Sequence, residues 1–124
     1  MKNDKTKGQL DLLLLSTLSA GPGHGYELIT RLRSASSGVF DLPEGTVYPA
    51  LHRLEAAGLV AAGRETVAGR SRRVYVLAAA GEAALAAHTD QWREHQDAMS
   101  RVLESGSGRV GFARSGGRVA GATA

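Results

Sequence analysis

Glu44-Gly45-Thr46-Val47-Tyr48-Pro49-Ala50-Leu51-His52-Arg53-Leu54-Glu55-Ala56-Ala57-Gly58-Leu59-Val60 decides the reading of this chain. As a helix it places Val47, Ala50, Leu51, Leu54 and Ala57 on one apolar stripe with the period of an α-helix. Gly58 follows where a left-handed residue commonly ends a helix. At about 100° per residue, Gly45, Pro49, His52 and Ala56 fall opposite the stripe, flanked by Tyr48 and Arg53. A solvated helix face is usually rich in Glu and Lys. This one is small and nearly uncharged, rimmed by a phenol, an imidazole and a guanidinium. Such a face suits close approach to a hydrogen-bonding surface, and the major groove of DNA is one.

Upstream, Lys7 to Ser19 reads as a first helix with Leu10, Leu13, Leu14 and Leu18 as its stripe, broadened by Leu12 and Leu15. Gly21-Pro22-Gly23 breaks it. Gly25 to Ser34 reads as a second helix burying Leu28, Ile29 and Leu32. Val39 to Leu42 is a candidate short strand before Pro43 opens the third helix. Downstream, Leu59–Glu65 and Arg72–Leu77 read as strands around a tip at Thr66–Ser71. Three helices followed by a hairpin is the winged-helix order, and the second and third helices suit a helix-turn-helix unit. Ala78 to Leu103 then reads as a long final helix. The expected fold is mainly α with a small β-hairpin: a winged helix-turn-helix plus a long C-terminal dimerisation helix. The expected divisions are 1–77 as the DNA-binding domain, 78–104 as the dimerisation helix, and 105–124 as a disordered tail of Gly, Ser, Ala, Val and Arg.

Composition bounds the alternatives. A chain of 124 residues holds one small core, and oligomerisation is a ready source of further burial. The absence of cysteine excludes disulfides, thiolate zinc sites and cysteine nucleophiles, and it fits a reducing cytoplasm. The apolar run Leu12 to Leu15 is too short for a signal or membrane segment, so a cytoplasmic protein without membrane contact is expected. The net charge of +3 says little. Arg109, Arg114 and Arg118 lie in an acid-free tail, which leaves twelve basic against twelve acidic residues before it. Distribution says more: Arg64, Arg70, Arg72 and Arg73 face Glu65 alone between residues 64 and 73.

These features give a candidate contact set for double-stranded DNA. Arg70, Ser71, Arg72 and Arg73 on the hairpin are placed to hold phosphates, setting affinity and position rather than sequence choice. Thr46 and Tyr48 offer hydroxyls near the start of the third helix, the end that meets bases in helix-turn-helix proteins. Tyr48 packing against the wing is the alternative. His52 and Arg53 reach either DNA or solvent. Pro49 cannot donate to the Gly45 carbonyl, which leaves either a kinked helix with a bare backbone beside its partner or a loose first turn. Tyr26 reads as a packing residue and His24 as a local hydrogen-bonding one.

In the last helix Leu85, His88, Trp92, His95, Met99 and Val102 repeat at the 3-4 spacing of a coiled-coil seam. This is the expected homodimer surface. Its central indole and two imidazoles leave two readings: a loosely packed seam, or a pocket in which Trp92 stacks a flat aromatic effector placed by His88 and His95. The two histidines are seven apart, too far to chelate one ion within a helix, so no metal site is assigned, and no cofactor either. No acid–base or nucleophile grouping suggests an enzyme.

Gly45 to Glu55 resembles the recognition-helix signature of the PadR family of bacterial transcriptional regulators. Three more segments fit in the same order. Gly21-Pro22-Gly23-His24-Gly25-Tyr26-Glu27-Leu28 resembles the loop into the second helix, Gly69-Arg70-Ser71-Arg72-Arg73-Val74-Tyr75 the basic wing, and Leu77-Ala78-Ala79-Ala80-Gly81 the entry to the C-terminal helix. Ala78 departs from the pattern, standing where a Thr commonly caps that helix. The resemblance implies a DNA-binding regulator, a repressor acting as a homodimer on an inverted-repeat operator, and it supports an aromatic effector between the C-terminal helices. The rival readings are a winged helix that binds protein rather than DNA, and a small enzyme or ligand-binding protein built on the last helix.

Overall fold

The computed structural model describes residues 2–110, with side chains placed for 8–106. In chain order the elements are α1 (Lys2–Ser19), β1 (Gly23–His24), α2 (Gly25–Ala35), α3 (Glu44–Ala56), β2 (Val60–Val67), β3 (Arg70–Leu77) and α4 (Ala79–Val110). The strands form one antiparallel sheet in the order β1-β3-β2. The chain divides into two compact units, Met1–His88 and Thr89–Ala124.

The first unit is built around one core. Leu14, Leu15 and Leu18 of α1, Leu28 and Ile29 of α2, Val47, Ala50, Leu51 and Leu54 of α3, Val60 of β2 and Tyr75 of β3 are buried together. The stripe on α3 is nearly as the periodicity predicts, with Val47 and Leu51 both at 0% exposure. Ala57 is the correction: it caps the helix and is exposed. Past it the chain turns on Gly58 (φ 80°). The Leu59 N–H donates to the Leu54 carbonyl at 3.0 Å, the six-to-one bond of a Schellman ending. On α1 the expected Leu14 and Leu18 are buried, and Leu15, expected only to broaden the stripe, is at its centre, while Leu10, Leu12 and Leu13 are only partly buried.

The sheet differs from expectation in three ways. No strand forms at Val39–Leu42, where the backbone is irregular. The third strand is instead Gly23–His24, which pairs with Tyr75 and Val74. Two residues carry too little periodicity to be read as a strand. The hairpin tip is also tighter than the six residues expected. β2 and β3 pair as far as Val67 and Arg70, leaving Ala68 (φ 52°) and Gly69 (φ 78°), the double positive φ of a two-residue type I′ turn.

The entry to α4 is held by backbone. The Ala78 N–H donates to the Leu59 carbonyl at 3.0 Å, and the Glu82 N–H to the Ala78 carbonyl at 2.9 Å. Gly81 is buried at this junction. A Cβ there would stand 2.0 Å from the Leu59 carbonyl oxygen and 2.7 Å from a Leu77 methyl, so the helix can approach the sheet only with glycine at that position. The helix runs to Val110, beyond the expected end at Glu104; residues 111–124 of the expected tail lie outside the described residues.

Gly81→Ala should destabilise the protein by about 1–3 kcal/mol, the usual cost of forcing atoms into a packed site. Gly8, a helical position with nothing within 4 Å of a built Cβ, is the control: Gly8→Ala should be neutral or stabilising by up to about 1 kcal/mol. Urea unfolding of the two variants checks both.

Candidate nucleic-acid interface

Burial of the α3 stripe sets the rotation of that helix. Gly45, Thr46, Pro49 and His52 are exposed on the other side, and Tyr48 is half-buried at its edge. α3 is helical from Glu44 onward with Pro49 inside it. The proline therefore leaves the Gly45 carbonyl without its helical donor at an exposed position. Tyr48 packs against the start of α2 and shares a cleft with Arg72 and Arg73 of the wing. Its ring lies over Gly25, the first residue of α2, where a Cβ would sit 2.3 Å from Tyr48 Cε1. Burial raises the Tyr48 phenol above its ordinary value of 10.0, with the charge of Glu44 adding to the effect. The hydroxyl therefore remains a hydrogen-bond donor at neutral pH.

Two of the guanidinium groups expected at DNA are engaged within the protein. Arg53 Nη1 donates to Asp11 Oδ2 at 3.0 Å and lies 2.9 Å from Oδ1, which receives no hydrogen bond of its own. This pair ties α3 to α1 and engages a guanidinium that the sequence left open to DNA or solvent. Arg73 Nη2 donates to Glu55 Oε2 at 2.6 Å, and its guanidinium carbon sits 6.0 Å from the centre of the Tyr75 ring. Arg73 thus ties the wing to the last turn of α3. Spacing could not separate these arginines from free ones, because their partners are 42 and 18 residues away.

The rest of the wing is open. Arg70, Ser71 and Arg72 are exposed, and Arg70 has no ion pair among the described residues. Arg64, outside the expected contact set, lies opposite Arg73 in the ladder and donates to Ser71 Oγ at 3.1 Å. Arg72 lies opposite Glu65, but its Nη1 stands 2.9 Å from His24 Nε2.

His24 is more than the local hydrogen-bonding residue expected, since it caps α2. Its Nδ1 accepts from the Glu27 N–H at 3.3 Å, while Glu27 Oε1 accepts from the His24 N–H at 3.0 Å, a reciprocal capping box. A histidine in place of the usual Ser, Thr, Asp or Asn hides this motif from sequence inspection. Tyr26 does not pack as expected; it is 58% exposed. His24, Tyr26, Tyr48 and Arg72 line one cleft of about 530 Å3 between the start of α2 and the wing.

On α4 the expected seam divides. Leu85 packs on the core of the first unit, and His88 is half-buried. Trp92, Met99 and Val102 in the second unit are exposed, as are His95 and Leu103. An apolar groove of about 740 Å3 lies elsewhere, between α1 and α2, lined by Leu13, Thr17, Ala20, Leu32 and Phe40. Among the described residues no three acidic or imidazole groups gather as a metal site, and no helix is long and apolar enough to cross a membrane.

The ion pairs predict an acid dependence of stability. Glu55 is held below the ordinary 4.5 by its hydrogen bond from Arg73. Glu27 is held below it by the His24 backbone N–H. Carboxylates that bind protons more weakly when folded contribute stability that is complete above about pH 4.5 and lost as pH falls through their folded values. The urea midpoint should therefore drop on acidification below about pH 4.5, and Glu55→Gln should flatten that drop. An equal drop in wild type and variant would contradict the Glu55–Arg73 assignment.

This arrangement of helices and wing is shared with known proteins. Residues 14–87 match the family model described as the transcriptional regulator PadR-like family. The chain is 45% identical over 67 residues to transcriptional regulator Rv3488 of Mycobacterium tuberculosis, an alignment that takes in 54% of this chain and 60% of that protein. The aligned segment thus spans less than two thirds of that curated relative. A PadR family transcription regulator from hypervirulent Clostridium difficile superposes with a TM-score of 0.67 at 29% identity, covering 76% of this chain and 97% of the other. A transcriptional regulator from Clostridium thermocellum, at 23% identity, shares the fold with a TM-score of 0.72 over 79% of this chain and 96% of its own. With three fifths of its length matched by the family model and its helices and wing in the family's arrangement, the chain belongs to the PadR-like family of DNA-binding transcriptional regulators, which are not enzymes.

Proposed function

We propose that this regulator acts as a homodimeric repressor, placing α3 of each subunit in the major groove of an inverted-repeat operator. The observation that carries this reading is the outward face of α3, uncharged and close to bare backbone, whose Tyr48 shares a cleft with the exposed Arg72 of the wing, Arg70 being exposed further along the hairpin. Thr46 and Tyr48 supply hydroxyls, Pro49 and Gly45 permit close approach, and His52 adds a donor at the same face. Arg70, Ser71 and Arg72 hold the flanking backbone. Arg53 and Arg73 act at one remove, fixing α3 to α1 and the wing to α3.

Dimerisation through α4 is supported by Trp92, Met99 and Val102, large apolar groups exposed at seam spacing. Such a row is costly to leave in water, at roughly 25 cal/mol per Å2. His95 lies three residues from Trp92, which suits a seam that also receives a flat aromatic effector. A ligand that prefers one packing of the helices shifts the DNA equilibrium by its differential affinity. The repressor role rests on the family.

Replacing Arg70 and Arg72 together with Ala should weaken binding to all duplexes and reduce the slope of log affinity against log salt by about 2, one for each phosphate that no longer meets a guanidinium. Filter binding or anisotropy at several salt concentrations checks this. An unchanged slope would remove the wing from the DNA interface and favour a winged helix that binds protein.

Truncation after Thr89 keeps the first compact unit and should yield a monomer by sedimentation, with operator affinity lost because two linked half-sites become one. A truncated dimer would place the interface elsewhere. Trp92→Leu should retain the dimer and DNA binding while abolishing any response to planar aromatic compounds that quench wild-type tryptophan fluorescence. Dissociation of that variant, with no quenching by such compounds, would make Trp92 a packing residue only.

A further inference from the structure

We propose that His24 and Arg72 together grip one DNA backbone phosphate at the cleft between α2 and the wing, the imidazole serving at once as helix cap and as phosphate ligand. The proposal rests on the DNA-binding reading above and adds to it a residue on α2 and a defined geometry.

The argument starts from proton counting. A neutral imidazole carries one ring proton and one free lone pair. Nδ1 of His24 accepts the Glu27 N–H at 3.3 Å, so the proton sits on Nε2. That nitrogen lies 2.9 Å from Arg72 Nη1, and a guanidinium only donates. Two N–H donors therefore converge with nothing between them to accept. The other tautomer would let Nε2 accept from Arg72, but it would turn a second N–H against the Glu27 amide and lose the cap. A charged imidazole would do both kinds of damage.

Among the described residues the acceptor beside Nε2 is Glu27 Oε1, which lies 3.5 Å from it and already accepts the His24 N–H at 3.0 Å. An oxygen held between His24 Nε2 and Arg72 Nη1 satisfies both donors and keeps the cap. An anionic oxygen does so best, because hydrogen bonds to charged groups are the stronger ones.

The local charge leaves room for an anion, and the two converging donors select its place. Arg73 is neutralised by Glu55 at 2.6 Å. Glu27 is opposed by both Arg31 and Arg72, each of which holds its carboxyl down. Arg31 is fixed by the carbonyls of Gly21 and Pro22 at 2.9 and 2.7 Å. Glu65 stands opposite Arg72 in the ladder, and Arg64 lines the adjoining cleft with Glu65 and Glu27, so Arg31, Arg64 and Arg72 stand against Glu27 and Glu65. The occupant follows from place: the cleft also includes Tyr48 of α3 and the start of α2, and in helix-turn-helix proteins the helix before the reader crosses the DNA backbone. Tyr26, exposed, lines the same cleft.

The test uses the full-length chain and two duplexes, one from the tightest-binding sequences of a random pool and one of random sequence. His24→Asn keeps a good cap, so its melting temperature should match wild type, while affinity for both duplexes should fall about tenfold. Arg72→Gln should fall by a similar factor. The double variant should bind little worse than either single variant, because one phosphate is shared. A single neutral methylphosphonate, scanned along the selected duplex, should weaken wild type about tenfold at one position per half-site and leave the double variant unaffected there.

Wild-type affinity in His24→Asn, or losses that multiply in the double variant with no phosphonate position that suppresses them, would overturn the clamp while leaving α3 and the wing as the DNA surface. Wild type that binds neither duplex in a salt-dependent way would overturn both readings.

Discussion

Four side chains on α3, Val47, Ala50, Leu51 and Leu54, are buried against α1, α2 and the sheet. Together they leave that helix one rotation about its axis. Each larger member contributes roughly 1.5–3 kcal/mol of burial, so turning the helix by even one position would lose several kcal/mol and expose leucine. The residues opposite the stripe are outward for this reason alone. Polar contacts then refine the position: Arg53 to Asp11 fixes α3 against α1, Arg73 to Glu55 fixes the wing against α3, and the Tyr48 ring rests on the backbone of Gly25. These exposed or half-exposed pairs add little stability individually. Their effect is to hold the outward face of α3 in register with the wing.

That division of labour explains an apparent poverty of positive charge. The residues before the tail are formally neutral, and two of the arginines nearest the reading helix are engaged inside the protein. What remains exposed is concentrated on the wing. On the proposed reading, this arrangement draws less on nonspecific attraction and more on fit, since each phosphate contact adds salt-dependent affinity without sequence choice. The uncharged α3 face is consistent with that balance.

Helix content, the α3 stripe, the Gly58 ending and the hairpin were legible in the sequence because each depends on local periodicity or on a residue with a special backbone preference. The misses have a common cause. Arg53 and Arg73 read as surface cations because their carboxylate partners are distant in the chain. β1 is two residues long and exists only because Tyr75 and Val74 offer it an edge. His24 as a cap and Gly25 as a seat for Tyr48 involve residue types that serve many purposes, and only the packed structure says which one applies. Leu85 fits the heptad spacing of the seam yet packs on the first unit's own core, since a helix can serve two surfaces along its length.

The most direct measurement of whether α3 is a paired reader of DNA is selection of bound duplexes from a fully random pool, followed by sequencing. Recovered sequences should converge on an inverted repeat whose half-sites are centred about one helical turn, or a small multiple of it, apart. Convergence should be lost with a Thr46→Ala, Tyr48→Phe variant. A recovered pool indistinguishable from the input, at salt low enough for retention, would contradict sequence-specific reading by α3.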